Sequence, residues 1–267
     1  MVLSSREGVG MGLMHLGEFH SRHISARGVS VWFPDHVDDR LPVIYMHDGQ
    51  NLFEAERSYG GTDWGVDEAL LGLMAHHRVA GAVVVGVWNT SLRLREYMPS
   101  RGRHGLRPQS GGSLSDGYLR FLVEELKPAI DQNFRTLSDP GHTYTMGSSM
   151  GGLISLYALC EYPHVFGGAG CVSTHWPAGN GRVLDYMDHH LPDPGRHRLY
   201  FDYGTRTADE PYEPYQHRAD QIMWSHGYRQ PEDWLTMKFD GADHSEEAWR
   251  ARIHLPLEFL LAGAIRG

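Results

Sequence analysis

Residues Gly147-Ser148-Ser149-Met150-Gly151 have the spacing G-x-S-x-G. In that arrangement a serine sits on a strained strand-to-helix turn, and glycines flank it because side chains there would collide. The flanks agree with this reading. Thr143-Tyr144-Thr145-Met146 is a strand-like run, and Leu153, Leu156, Tyr157 and Cys160 follow at i, i+3, i+4 and i+7, one face of a helix. The turn aims the Ser149 hydroxyl off the C-terminal edge of a sheet, with a helix N-terminus beneath it to stabilise developing negative charge. That chemistry is nucleophilic attack, and a glycine-rich helix start with an incidental serine is the alternative.

A serine hydroxyl is a poor nucleophile near neutral pH and needs a histidine base, itself oriented by a carboxylate. With a serine on such a turn, the chain order is serine, acid, histidine. The sequence holds 18 histidines. His244 lies in a loop between the predicted strand 234–239 and the final helix, which makes it the natural base; His217, His226 and His254 also follow the serine but fall within predicted helices. Asp209 lies just past the predicted strand 198–203 and is favoured as the acid. Asp202, inside that strand, reads as a structural group, and Glu210 reads as a cap or lead-in to the helix that starts near Pro211.

A tetrahedral oxyanion requires two aimed N–H donors. Met150, after the serine, supplies the first, and Gln50, in the turn that ends "VIYMHDGQNLF", is expected to supply the second. An ordinary Asp48-Gly49 turn is the rival reading of that stretch. Trp176, Trp88 and Asn89 fall at predicted C-terminal strand ends, where open α/β sheets bind ligands, and are expected to line a substrate pocket. Glu96 and Tyr97 are read as part of a surface loop.

These groups need a frame. Strands are predicted over 29–34, 42–47, 82–88, 143–146, 167–173, 198–203 and 234–239, and helices over 64–76, 116–131, 150–161, 212–226 and 245–261. Several strands are continuous apolar runs, as expected for strands buried on both faces. The alternation predicts an α/β fold, a mostly parallel central sheet flanked by helices on both faces, in one domain over residues 1–267. Residues 99–117, rich in Gly, Ser, Arg and Pro, read as a long surface or lid loop, and 189–198 as a second loop.

Composition narrows the function classes. The net charge of −9 arises from 33 acidic against 24 basic residues spread along the chain, without the basic stripe that nucleic acid requires. The two cysteines, Cys160 and Cys171, fall in a predicted helix and the strand after it, so both are expected to be reduced and buried. No apolar run approaches the roughly 20 residues of a membrane span, and no secretory pattern opens the chain; a cytoplasmic protein without membrane contact is expected. The pairs His76-His77 and His189-His190 raise the question of a metal. Adjacent histidines point in different directions on a helix, and neither H-E-x-x-H nor C-x-x-C occurs, so no metal is expected.

With these pieces placed, the chain resembles the esterase D-like branch of the α/β-hydrolases, which includes enterochelin esterases and feruloyl and acetyl-xylan esterases. The matching stretches are "PVIYMHDGQNLF", "LREYMP", "YLRFLVEELKPAIDQNFRT", "TMGSSMGGLISLYALCEYPHVFG", "YFDYGT" and "GADHSEEAWRARI", within residues 20–262. The resemblance implies a cofactor-free ester hydrolase acting on small acyl, aryl or carbohydrate-linked esters, with Ser149 as nucleophile, His244 as base and an acid after "YFDYGT". It also sets the early "DGQN" turn where the family builds its second oxyanion donor. A catalytically silent binding module on the same fold, or a thioesterase, are the alternatives.

Overall fold

The computed structural model describes residues 12–35, 37, 39–100 and 112–262. Eight strands form one sheet: β1 (Gly12–Phe19), β2 (Arg27–Phe33), β3 (Val43–His47), β4 (Val83–Val87), β5 (Thr143–Ser148), β6 (Gly168–Val172), β7 (Arg198–Gly204) and β8 (Trp234–Phe239). Their order across the sheet is β1-β2-β4-β3-β5-β6-β7-β8. β1 and β2 run antiparallel, β2 meets β4 antiparallel, and every pairing from β4 to β8 is parallel. The central strands β3, β4, β5 and β6 are buried along their whole length, which accounts for their unbroken apolar runs.

The helices are α1 (Val66–Ala75), α2 (Arg93–Glu96), α3 (Ser115–Arg120), α4 (Lys127–Asn133), α5 (Met150–Glu161), α6 (Arg182–His190), α7 (Glu213–Ser225), α8 (Glu246–Arg250) and α9 (His254–Leu261). A π-helical stretch, Phe121–Leu126, joins α3 to α4. Two apolar clusters sandwich the sheet. One gathers Leu153, Ile154 and Tyr157 of α5 with Tyr118, Leu122 and Ile130, and the other gathers Val66 and Leu70 of α1 with Trp249, Leu257 and Leu260. Burying a large aliphatic or aromatic side chain contributes roughly 1.5–3 kcal/mol, so these two layers carry much of the stability that holds the strand ends in place.

The prediction over 150–161 coincides with α5, and the seven predicted strands all form. Other elements differ from expectation, among them α2, which forms where no helix was expected. β1 was not foreseen; α6 occupies residues to which the sequence assigned no element and, at 189 and 190, the start of the expected second loop; and the helix expected over 245–261 is interrupted between α8 and α9. Residues 101–111, the centre of the expected lid loop, lie outside the described residues. The stem of that loop is tied down, because Ser113 Oγ donates to the Met98 carbonyl at 2.6 Å and Tyr157 OH donates to Asp116 at 3.0 Å.

Candidate active site

Ser149 stands between β5 and α5 with φ 57 and ψ −118, a backbone conformation that costs a non-glycine residue on the order of 1–3 kcal/mol. The surroundings enforce it. The Ser149 N–H donates to the Val172 carbonyl at 2.9 Å, and the Ser149 carbonyl accepts from His175 N–H at 3.1 Å. A Cβ on Gly147 would lie 2.9 Å from the Gly151 carbonyl carbon, so only glycine lets the chain double back this tightly.

The three polar groups picked out along the chain meet here. His244 Nε2 lies 2.9 Å from Ser149 Oγ, and His244 Nδ1 lies 2.5 Å from Asp209 Oδ1. A carboxylate only accepts, so Nδ1 carries the ring proton and Nε2 is left to accept from the serine hydroxyl. Thr207, at φ 54, fixes the loop by accepting the His244 backbone N–H on its Oγ1 at 2.8 Å. Asp209 is 1% exposed. Burial alone would raise its pKa, but the bonds from His244, from the Gly204 N–H (2.7 Å) and from the Ser173 hydroxyl (2.8 Å) outweigh it and hold the carboxyl below its ordinary value.

The alternatives for the acid stand elsewhere. Asp202 is inside β7, fully buried, and bonded to Arg252, the Ser173 N–H and Tyr200 OH. Burial raises its pKa, partly offset by Arg252. Glu210 is exposed. His217 lies in α7, His226 just beyond it, and His254 at the exposed start of α9.

A cavity of about 330 Å³ opens on Ser149 and His244 and is bordered by Asp48, Gln50, Asn89 and Arg93. Asp48 ends β3 in the left-handed region, φ 57. Its carboxylate accepts from Arg93 Nε and Nη2, both at 2.7 Å, and from Asn89 Nδ2 at 2.6 Å, while its N–H donates to Tyr97 OH at 3.2 Å. Gly49 cannot carry a side chain, since a Cβ would lie 2.3 Å from the Gly86 carbonyl carbon. Gln50 accepts the Asn89 N–H on its side-chain oxygen at 3.1 Å, which ties the turn to the end of β4. Met150 heads α5, where a helix has no internal acceptor for its N–H groups.

Beneath the turn, His47 is completely buried between Tyr97 and Tyr118 and bonded to Tyr118 OH (2.7 Å) and Thr145 Oγ1 (3.1 Å). Burial pushes its pKa down to about 3. At the mouth, Glu246 is half-buried, and desolvation with the nearby Asp48 raises its pKa.

Of the three expected pocket residues, Asn89 borders the cavity. Trp176 is fully buried in the core, its Nε1 donating to Gln216 at 3.0 Å and its ring packed on Phe201. Trp88 lies outside the lining, donating to Ser30 Oγ at 2.9 Å beneath the guanidinium of Arg57. The aromatic lining instead comes from Tyr59, Trp64 and Trp249, which the sequence reading missed. Glu96 and Tyr97 also depart from expectation: both are fully buried, and Glu96 forms a two-bonded ion pair with Arg27 at 2.8 and 3.1 Å. Arg93, also in the cavity wall, stands just before the "LREYMP" stretch, and no motif in the sequence pointed to it. Among the described residues, no group of three or more His, Cys, Asp or Glu is arranged to hold a metal, and no helix is long and apolar enough to cross a membrane.

Comparison with known proteins places this chain in a family. The family described as Putative esterase matches residues 24–257. The ferri-bacillibactin esterase BesA of Bacillus subtilis is 30% identical over 168 residues, which are 55% of this chain and 52% of BesA, so the chain spans about half the length of that relative. Among solved structures, the BES protein from Bacillus cereus superposes with a TM-score of 0.72 at 17% identity, covering 97% of this chain and 99% of that one. The ferulic acid esterase of Anaeromyces mucronatus superposes with a TM-score of 0.68 at 19% identity, covering 98% and 95%. The chain belongs to the Putative esterase family and is an ester-hydrolysing enzyme on an α/β-hydrolase fold.

Proposed function

We propose that this chain is a serine carboxylic-ester hydrolase that works through an acyl-enzyme, with Ser149 as nucleophile, His244 as general base and acid, and Asp209 as the group that orients and steadies the imidazole. The observation that carries the reading is the unbroken line Asp209 Oδ1, His244 Nδ1 and Nε2, Ser149 Oγ, with contacts of 2.5 and 2.9 Å, ending on a serine held at φ 57. His244 takes the hydroxyl proton as Oγ attacks the ester carbonyl, and the Met150 and Gln50 N–H groups receive the oxyanion. Collapse of the tetrahedral species transfers the proton from His244 to the departing alcohol. Water, deprotonated by the same imidazole, then frees the acid and restores Ser149.

The cavity supports a compact ester. A volume of about 330 Å³ walled by Tyr59, Trp64 and Trp249 suits a small acyl or aryl group, and Asn89 and Arg93 offer polar contacts at one side. BesA is named for ferri-bacillibactin and the Anaeromyces protein for ferulic acid; both ester types belong in the first substrate panel, beside acetyl, butyryl and octanoyl esters. All eight strands lie in one sheet, which supports a single catalytic domain. The two free, buried cysteines favour a reducing compartment such as the cytoplasm.

Hydrolysis of p-nitrophenyl acetate by the protein beside its Ser149→Ala variant tests the reading. Turnover is expected to fall by about four or more orders of magnitude in the variant; equal activity in both would remove Ser149 from the mechanism.

A further inference from the structure

Behind Asp209 lies a buried polar group that the reaction itself does not use. Ser173 follows β6 at φ 39, is fully buried, and has three partners on one hydroxyl oxygen: Asp209 Oδ2 at 2.8 Å, Arg252 Nη2 at 2.7 Å and Trp249 Nε1 at 3.1 Å. A guanidinium and an indole N–H can only donate. Both therefore use the acceptor capacity of the Ser173 oxygen, and its single proton has one acceptor left, Asp209. Resting on the reading of Ser149, His244 and Asp209 given above, we propose that Ser173 is a positioning residue: Arg252 and Trp249 compel its hydroxyl to donate to Asp209 Oδ2, which keeps the carboxylate charged and leaves Oδ1 for His244.

The supporting groups are themselves fixed. Arg252 is 4% exposed and bonds Asp202 through Nε at 3.2 Å and Nη2 at 3.1 Å. Asp202 also accepts the Ser173 N–H at 3.0 Å. The backbone of Ser173 is thus tied to one buried carboxylate and its side chain to another. Asp202 compensates the charge of Arg252, whose influence reaches Asp209 through the serine hydroxyl. This also explains why a residue in the left-handed region, where glycine is the easier choice, carries a side chain.

The direction of the effect follows from charge. Removing a donor from Asp209 makes the Asp209 and His244 pair take up a proton more readily, so the acid limb of kcat/KM moves to higher pH. Other groups face the pair: His175 and Tyr212 from the β6 exit and the start of α7, Glu246 from α8, and Asp48 and Arg93 across the cavity. With Asp202 and Arg252 behind, these remain in every variant and cancel in the comparison.

The test is the pH dependence of kcat/KM for p-nitrophenyl acetate in the protein, Ser173→Ala, Ser173→Gly, Asp209→Asn and the Asp209→Asn/Ser173→Ala double variant, each checked for folding by a thermal melt. Both single changes at Ser173 are expected to lower kcat/KM about tenfold at pH 7 and to move the acid midpoint up by about one pH unit. In the Asp209→Asn background, Ser173→Ala should add no further loss, because it acts through the carboxylate. Glycine relieves the φ 39 backbone, so a Ser173→Gly variant with the native profile would overturn the proposal, as would an equal loss from Ser173→Ala with and without Asp209. Full activity in Asp209→Asn would instead overturn the assignment of the acid itself, and the proposal with it.

Discussion

The turns that end β3 and β5, adjacent strands of the sheet, place Asp48 and Ser149 at the same angle, φ 57, yet hold them by different means. At Ser149 the constraint is steric and backbone-made: two main-chain hydrogen bonds and the close approach of Gly147 to Gly151 leave the chain no other path. At Asp48 glycine packing contributes through Gly49, but the left-handed residue is held by its own carboxylate, bonded to Arg93 and Asn89, over the buried His47. The first turn places the reacting oxygen and is indifferent to charge. The second, which the proposed mechanism uses to place an N–H donor, rests on ionised and titratable side chains.

That contrast can be broken at either end. The largest effect is expected from Gly147→Val: a Cβ 2.9 Å from the Gly151 carbonyl carbon forces the turn open, so turnover should fall by several orders of magnitude while stability drops by about 1–3 kcal/mol. Assay and thermal melt together check this, and a soluble variant with native turnover would refute the steric account. Arg93→Met should leave the Ser149 turn intact but strip the Asp48 carboxylate of its counter-charge, with Asn89 still bonded to it, lowering kcat by about 10- to 100-fold through a misplaced oxyanion donor. A change confined to KM would assign Arg93 to substrate contact alone.

The smallest effect on turnover comes from a group that acts on acid stability instead. His47 is held neutral down to about pH 3, against an ordinary value of 6.5. Between those values the unfolded chain binds a proton that the folded chain does not, so folding stability falls as the pH drops through this window, at up to about 1.4 kcal/mol per unit. Above pH 6.5 both states are neutral at this ring and the contribution vanishes. Denaturant titrations of His47→Gln from pH 7 to pH 4 should show a shallower decline than the native protein, and parallel slopes would discount the ring.

How far the sequence carried this picture depended on how local the signal was. Ser149 was legible because glycine spacing, strand and helix share one short stretch, and His244 and Asp209 because each follows a recognisable strand. β1 escaped because Gly12 alone of "GLMHLGEF" is fully buried, and the run takes its shape from pairing with β2, around an irregularity near Gly17. α6 escaped because only Val183, Leu184, Tyr186 and Met187 are buried in an otherwise polar run. The cavity walls were least legible. Tyr59, Trp64, Arg93 and Trp249 come from separate segments and converge only when the sheet has formed. Trp176 was drawn into the core by Gln216, a hydrogen-bond partner 40 positions further along the chain.

The two cysteines have a practical consequence. Cys160 and Cys171 are both unbridged and enclosed by the core, and burial raises both thiols above their ordinary range. Thiolates are the reactive form, so neither sulfur competes for an electrophile while the chain is folded. On the mechanism proposed above, a fluorophosphonate reporter would label Ser149 and neither thiol, so the moles of label bound per mole of protein would count the working active sites in any preparation.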